Sequence, residues 1–426
     1  MDIAKTDGSL RIWKNEHLFL PAVATGAYVH SMSWGYASSG YNTLTHNIDR
    51  WLFQNDDQLI IVAAGNRGTF GDSTLAMPST AKNIISVGAS HSVGPDISVF
   101  EEGLEYVAKY SSRGPAGLRT KPDVVAPGHR LLSADGRLAS TGTCDRDGLG
   151  REDYLFHDDP SNGLRYGSGT SMSAPVVAGM AVQIRQYFLD GFYPLGEKST
   201  GTSIRPSGSL IKAVIMNGSQ FLRGIAESPS LDLQPYDSVQ NMGRVSLYHS
   251  LPLQGVNDLQ LTVHDRIVIE DGDTHDYIVD IQRPSDGCSF RATMVYADEP
   301  GETLINDIDL TVMWRGNFYF PNGRSGPDRN NNAERIILEN VAEGDRVMVN
   351  VNAHNLQSST MKYALVLTYC GTALQVEPEK STPEPTKKPS PHPTPAPSIK
   401  PTTIQQFRKR ERRRKRRQNK KKNRMN

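Results

Sequence analysis

A short apolar run that ends in glycine places the tightest constraint on this chain. The segment QLIIVAAG (58–65) has no polar side chain after its first residue, so a strand formed there must be buried on both faces. NIISVGAS (83–90) and DVVAP (123–127) have the same character, and AYVHSMSW (27–34) is a further strand candidate. Such strands are typical of a parallel sheet covered by helices, which is the α/β fold class expected for residues 1–252.

Helical periodicity supplies the covering layer. NTLTHNIDRWLFQND (42–56) places four apolar residues on one face, namely Leu44, Ile48, Trp51 and Leu52. Two further helices are predicted, in SMSAPVVAGMAVQIRQYFLDG (171–191) and SLIKAVIMNGSQFL (209–222). Strand and helix alternate as a parallel sheet requires.

The pattern changes after about residue 255. The stretches HDYIVDIQ, CSFRATMVYAD, NDIDLTVMW, DRVMVNVNAHN and YALVLTYC are short, alternating and rich in β-branched residues, with turn residues between them. This pattern predicts an all-β sandwich or barrel over residues 256–372. No run of 18 apolar residues occurs, so no membrane span is expected.

The C-terminal residues differ again in composition. Residues 377–401 contain nine prolines and predict an extended linker, placed at 373–403. Residues 408–426 carry 13 Lys or Arg and one Glu, a charge of +12, within a tail at 404–426 that we expect to be disordered. The whole chain has a net charge of +1, so the remainder carries −11, the difference between the two. The tail is expected to bind polyanions without sequence preference, and nuclear targeting is the alternative.

One serine is placed for nucleophilic chemistry. In YGSGTSMSAP (166–175), Ser171 begins a predicted helix, where its own N–H has no helical partner and lies at the positive end of the helix dipole. Pro175 is expected near the end of the first turn. Asn66 follows the buried strand directly, at the edge where parallel sheets bind ligands, and its amide could reach the same oxygen. Taken singly, each motif is equally consistent with an N-cap or a turn.

The ordered set of motifs is more specific. SMSWG (31–35), AAGN (63–66), YSSRGPAGLRTKPDVVAPG (110–128) and GTSMSAPVVAGMA (169–181) follow one another. In this order they resemble the second half of the catalytic domain of subtilisin-like serine proteases, family S8. The likeness is to the branch with a β-barrel, or jelly-roll, domain after the catalytic one. It extends over roughly residues 1–372, with NDIDL and DRNNNAE (306–334) similar to the barrel domain's own pattern.

The resemblance implies a role for each matching residue. Ser171 matches the nucleophile and Asn66 the side-chain donor of the oxyanion hole. The segment that pairs with an extended substrate backbone is matched by Ser33, Trp34 and Gly35. The opposite wall of the primary specificity pocket is matched by Ala63, Ala64 and Gly65. The implied activity is a serine endopeptidase that hydrolyses peptide bonds through an acyl-enzyme at Ser171.

The sequence departs from the family in one respect. Neither the D-[ST]-G motif nor the H-G-T-H motif that carry the catalytic Asp and His occurs in it. His30 lies three residues before Ser33 but is expected to be an ordinary strand residue. We therefore expect an incomplete subtilisin-like fold, from a truncated fragment of a longer secreted protease whose signal peptide lies upstream, and expect no activity from this chain. The alternative is a non-catalytic protein that binds peptides by strand addition.

The remaining expectations concern cofactors and cysteines. No cofactor is expected for catalysis and the metal ligands are unknown, although the resemblance makes structural calcium possible. In the β domain, four aspartates could hold it or could form Asx turns: Asp298, Asp307, Asp309 and Asp328. Cys288 and Cys370 could pair, or all three cysteines could be thiols. The chain is expected to be a monomer that acts on protein or peptide substrates.

Overall fold

The computed structural model describes residues 15–92, 103–134, 164–199, 203–282, 289–371 and 378–379 of the 426-residue chain. The chain divides into two compact units, Met1–Ser381 and Thr382–Asn426. The second unit, the predicted tail 404–426 and nearly all of the predicted linker 373–403 lie outside the described residues. The architecture below is that of the first unit.

The described residues form the following elements. The helices are α1 Asn15–Val23, α2 Thr43–Gln54, α3 Thr170–Leu189 and α4 Gly208–Gly218. The strands before α4 are β1 Val29–Met32, β2 Leu59–Ala63, β3 Ile85–Ser90, β4 Tyr106–Val107, β5 Val124–Pro127, β6 Leu131–Ala134 and β7 Leu164–Gly167. The later strands are β8 Gly224–Ile225, β9 Ser228–Asp232, β10 Leu259–Glu270, β11 Thr274–Asp280, β12 Phe290–Tyr296, β13 Asp307–Trp314, β14 Asn317–Tyr319, β15 Ala333–Leu338, β16 Arg346–Asn355, β17 Thr360–Cys370 and β18 Pro378–Glu379.

A mostly parallel sheet forms the centre of the α/β region. Its strand order is β1-β2-β3-β4-β8-β9, and β5 also pairs with β3. The pairings β1–β2, β2–β3 and β3–β5 are all parallel. Every residue of β2 is buried, as its unbroken apolar sequence predicts. The predicted α/β fold class is therefore confirmed.

Helices cover both faces of this sheet. Successive residues of β2 point to opposite faces, and because all of them are apolar, both faces must be covered. Ile60 and Val62 pack in a cluster with Ile48 and Leu52 of α2. Leu59, Ile61 and Ala63 join a second cluster with α3 and α4. The helix predicted over 209–222 is shorter than expected, because Ser219 leaves the helix with φ −68° and ψ 145°.

The C-terminal part consists of two antiparallel sheets around one apolar core. Their strand orders are β10-β17-β12-β15 and β14-β13-β16-β11-β18. Strand β10 is not evident in the sequence, because the polar residues 264–266 and a bulge between His264 and Ile267 interrupt its alternation. Pro378 and Glu379, inside the predicted linker, pair with β11. The jelly-roll topology and the boundaries at 252 and 256 remain predictions.

Helix α4 joins the two regions. One cluster contains α4 residues such as Ile211 and Val214 together with Ala364 and Val366 of β17. A fully buried ion pair adds a polar link, in which Lys82 Nζ lies 2.5 Å from Asp298 Oδ2. The parallel sheet and the first antiparallel sheet therefore share one buried interior.

Candidate active site

Ser171 lies in the first turn of α3, and Asn66 holds that turn in place. The helix begins at Thr170, and Gly169 at its N-cap has no side chain to accept from the first N–H groups. Asn66 Oδ1, at the end of β2, accepts from both the Thr170 N–H and the Thr170 hydroxyl at 2.9 Å. A backbone N–H can only donate, so this contact directs the oxygen of the amide toward α3 and leaves Asn66 Nδ2 on the other side.

Gly169 has no side chain, and the small space where a Cβ would lie is close to two nitrogen atoms. A Cβ atom added to it would lie 3.2 Å from Asn66 Nδ2, and 3.7 Å from both Asn66 Oδ1 and the backbone nitrogen of Ser171. Its φ of +152° also disfavours any residue with a side chain. A side-chain amide and a backbone N–H are the kinds of donor that stabilise a negatively charged oxygen.

Ser33 and Ser171 hydrogen-bond to each other across the site. The Ser33 hydroxyl donates to the Ser171 carbonyl at 2.8 Å, and the Ser171 hydroxyl donates to the Ser33 carbonyl at 3.3 Å. Pro175 lies in the second turn of α3 and not in the first, because the helix begins at Thr170. The structure thus brings Ser33, Asn66 and Ser171 together from three separate segments of the chain.

Gly35 and Gly65 both approach Ala76 closely. A Cβ on Gly35 would lie 3.1 Å from the Ala76 Cβ, and one on Gly65 would lie 3.0 Å from the same atom. Ala63 and Ala64 are both buried at the end of β2. Trp34 packs against the cluster on the α2 side of the sheet. Ala76 carried no signal in the sequence that marked it as a contact of both segments.

No base contacts the serine hydroxyl among the residues that the structure describes. The hydrogen bond to the Ser33 carbonyl is the one formed there by Ser171 Oγ, and it involves neither an imidazole nor a carboxylate. His30 contacts Gln58 at 3.2 Å and the Phe19 ring edge-on, and burial lowers its pKa. His30 is an ordinary strand residue, as expected.

The segment 110–128 supports the site through a buried ion network. Asp123, just before β5, accepts from the Ser86 N–H at 2.7 Å and forms ion pairs with Lys121 and Lys212. Burial lowers the pKa of Lys121 to about 7 and outweighs the attraction of Asp123. This network fixes β5 against β3, and the Gly128 carbonyl after β5 accepts from the Gly169 N–H at 2.8 Å.

The four aspartates proposed as calcium ligands are engaged by the protein itself. Asp298 pairs with Lys82 and also accepts from the Asn306 N–H, and Asp328 accepts from the N–H groups and amides of a turn. Asp307 and Asp309 share the guanidinium of Arg329. In the described parts of the chain, no group of three or more His, Cys, Asp or Glu is arranged to hold a metal ion. The contacts of Asp328 are those of an Asx turn, and the other three aspartates are held by Lys82 and Arg329; structural calcium stays a prediction.

Comparisons with known proteins identify the family. The subtilase family (Peptidase S8) matches residues 8–240, more than half of the chain. The chain therefore belongs to the subtilase family of serine proteases.

Individual relatives match over parts of their length. The serine protease/ABC transporter B family protein tagD of Dictyostelium discoideum is 28% identical over 295 residues, which cover 52% of this chain and 16% of that protein. Serine protease AprX of Bacillus subtilis is 32% identical over 135 residues, covering 30% of this chain and 26% of AprX. A cold adapted subtilisin-like serine proteinase of known structure is 20% identical with a TM-score of 0.26, covering 44% of this chain and 57% of the other. The chain thus spans a small part of these curated relatives.

Two structural features bear on the remaining expectations. Within the described residues, no helix is long and apolar enough to cross a membrane. Cys370 is disulfide-bonded, whereas Cys144 and Cys288 lie outside the described residues.

Proposed function

We propose that this protein is a serine endopeptidase in which Ser171 is the nucleophile and Asn66 stabilises the oxyanion. The observation that carries the proposal is the proximity of Asn66 Nδ2 and the Ser171 nitrogen to the same small space at Gly169, 3.2 Å and 3.7 Å from the position of an added Cβ. An enzyme gains rate from donors directed at charge that appears only in the transition state. The segments at Ser33–Gly35 and Ala63–Gly65 would hold the peptide.

The reaction follows from the position of these groups. Ser171 Oγ attacks the carbonyl carbon of the scissile bond while a general base takes its proton, and the carbonyl oxygen becomes an oxyanion in the space at Gly169. Collapse of this intermediate breaks the C–N bond, the amine leaves with a proton, and water then hydrolyses the acyl-enzyme. The base must come from outside the described residues, either elsewhere in the polypeptide or from a partner.

A fluorophosphonate probe tests the assignment of the nucleophile. Labelling at Ser171, found by peptide mapping and lost in Ser171→Ala, is the expected result for a form that carries the base. Ser173→Ala is the matched control, because Ser173 is buried two residues further on in the same helix. Labelling that persists in Ser171→Ala would refute the assignment. The same assay on residues 1–426 should show little labelling if the base lies elsewhere.

Asn66 requires two variants because it has two roles. Asn66→Asp keeps the oxygen that accepts from Thr170 but removes the amide donor, whereas Asn66→Leu removes both. We expect Asn66→Asp to lower kcat with little change in KM, since the oxyanion exists only in the transition state. Loss of one oxyanion-hole donor typically lowers kcat by a factor of about 10²–10³. Loss of affinity with unchanged kcat would show that Asn66 is a turn residue only.

A second candidate function is peptide binding without cleavage. The resting hydrogen bond of Ser171 to a carbonyl, and not to a base, favours it. An extended peptide could still pair with the backbone of residues 31–35. Fluorescent peptides that bind reversibly and remain intact for hours, even after the base is supplied, would support this function over proteolysis.

We also propose that the protein is secreted and that its tail binds polyanions. The disulfide at Cys370 supports an oxidising compartment. The charge of +12 on residues 408–426 supports salt-sensitive binding to nucleic acid, heparin or acidic wall polymers.

A further inference from the structure

Pro175 removes one hydrogen bond from the start of α3. In an α-helix each N–H donates to the carbonyl four residues earlier, so residue 175 would normally donate to the carbonyl of Ser171. Proline has no N–H, and the Ser171 carbonyl therefore lacks its helical donor. An unpaired carbonyl next to the nucleophile would leave this part of the helix free to shift.

The Ser33 hydroxyl supplies the missing donor. It lies 2.8 Å from the Ser171 carbonyl oxygen, although the two residues are 138 positions apart in sequence. Ser33 follows β1 directly, so the bond connects the end of a strand to the first turn of α3. The return contact, from the Ser171 hydroxyl to the Ser33 carbonyl, joins the same two residues a second time.

We propose that Ser33 is a positioning residue for Ser171, and that Pro175 is what makes it one. By removing a hydrogen bond within the helix, the proline leaves the Ser171 carbonyl available to accept from the Ser33 hydroxyl, and the nucleophile is then fixed to the segment 33–35. A peptide that pairs with this segment is consequently held in register with Ser171 Oγ. This inference rests on the proposed function and assigns to the side chain of Ser33 a role separate from backbone pairing.

A double-mutant cycle isolates this bond. Ser33→Ala leaves the Ser171 carbonyl without a donor, and we expect the equilibrium constant of unfolding to rise about tenfold, the size of one hydrogen bond. In the Pro175→Ala background the new N–H of residue 175 supplies the helical bond. There Ser33→Ala should change the constant by less than about twofold. Ser33→Thr, which keeps the hydroxyl, should restore most of the loss, and Ser31→Ala, at an exposed residue of β1, is the matched control.

Reactivity provides the functional measurement. In a form that the fluorophosphonate probe labels, Ser33→Ala should slow labelling of Ser171 about tenfold. Adding Pro175→Ala to this variant should recover the stability of the protein, but it should not restore the alignment of a bound peptide with Ser171 Oγ. The kcat for a long peptide should therefore stay low in the double variant.

Three results decide the matter. Equal effects of Ser33→Ala on unfolding in both backgrounds would overturn the proposal, because the two donors would then be independent. Full recovery of kcat in the double variant would also overturn the proposal, since the hydrogen bond from Ser33 to the Ser171 carbonyl would then have only a structural role. Failure to label Ser171 in a form that carries the base, together with a coupled unfolding cycle, would count against the proposed proteolysis and would still support the bond between Ser33 and Ser171.

Discussion

Replacement of Arg335 by Met tests how the antiparallel sheets hold α4. Arg335 lies on β15 and is completely buried. Its guanidinium donates to the carbonyls of Met216 at 2.6 Å, Ser219 at 3.0 Å and Met242 at 3.0 Å. The first two carbonyls lie at the end of α4, where the helix dipole is negative. Each has one further, longer contact: the Met216 carbonyl accepts from the Ser219 N–H and the Ser219 carbonyl from Arg291, both at 3.3 Å.

The expected loss follows from these contacts. Met preserves most of the packing against Phe221 and Tyr236 but removes every donor. Each hydrogen bond from a charged donor contributes about 1.5–3 kcal/mol. Removing the buried charge returns part of the cost of desolvating it. We therefore expect the free energy of unfolding to fall by about 3–5 kcal/mol, measured by urea denaturation at an unchanged m-value.

Arg223→Met is the matched control for this experiment. Arg223 pairs with Glu105, and both side chains are more than half exposed, so little change is expected. A loss for Arg335→Met below about 1 kcal/mol, or no greater than that of the control, would refute the view that α4 depends on this arginine.

Four further predictions concern other parts of the molecule. Burial raises the pKa of Glu334, so ionising this side chain in the folded protein lowers stability as the pH rises above the pKa of Glu in the unfolded chain. Glu334→Gln should therefore stabilise the protein at pH 8 but not at pH 4, as measured by urea unfolding at both pH values. The expected gain is about 1.4 kcal/mol per unit of difference between the folded and unfolded pKa. Gly65→Ala, whose Cβ would lie 2.9 Å from Ser112 Oγ, should destabilise the protein more than Gly71→Ala, which has a similar φ and open space around it, as compared by thermal unfolding. A calcium chelator should leave the melting temperature unchanged because each of the four aspartates is already paired with a Lys or Arg, and a fall would support the calcium hypothesis. Deletion of 404–426 should abolish retention on heparin at low salt, and equal retention would show that the tail does not bind.

Sequence periodicity predicted the layers of the fold well because they depend on local burial. The apolar run of β2 predicted an internal strand, and the spacing of Ile48 and Leu52 predicted a helix face; the structure has both. The end of α4 could not be predicted, since it depends on contacts with Arg335, whose donor bond to Met216 spans 119 residues. Similarly, the polar residues within β10 concealed a long strand whose pairing with β17 is set by tertiary contacts.

The candidate site shows the same division between local and distant causes. The sequence predicted Ser171 and Asn66 as site residues, because a helix start and a strand end each have a recognisable local pattern, and the structure brings them together. It placed the start of α3 one residue too late, which moves Pro175 into the second turn, since the true N-cap is Gly169 and the first N–H is capped by Asn66, 104 residues away from Thr170. The roles of Ala76 and of the Ser33 hydroxyl became apparent only when the chain had brought these segments together.

The geometry of the donors does not depend on the base. Asn66 is fixed by Thr170, and Gly169 is fixed by the Gly128 carbonyl at the end of β5. These contacts all belong to the parallel sheet and α3, and none of them involves a catalytic His or Asp. The proposed oxyanion space can therefore form in this chain before any base is supplied, so binding of a tetrahedral analogue and the reactivity of Ser171 should be separable properties. Binding of such an analogue without labelling would locate the defect in the base alone.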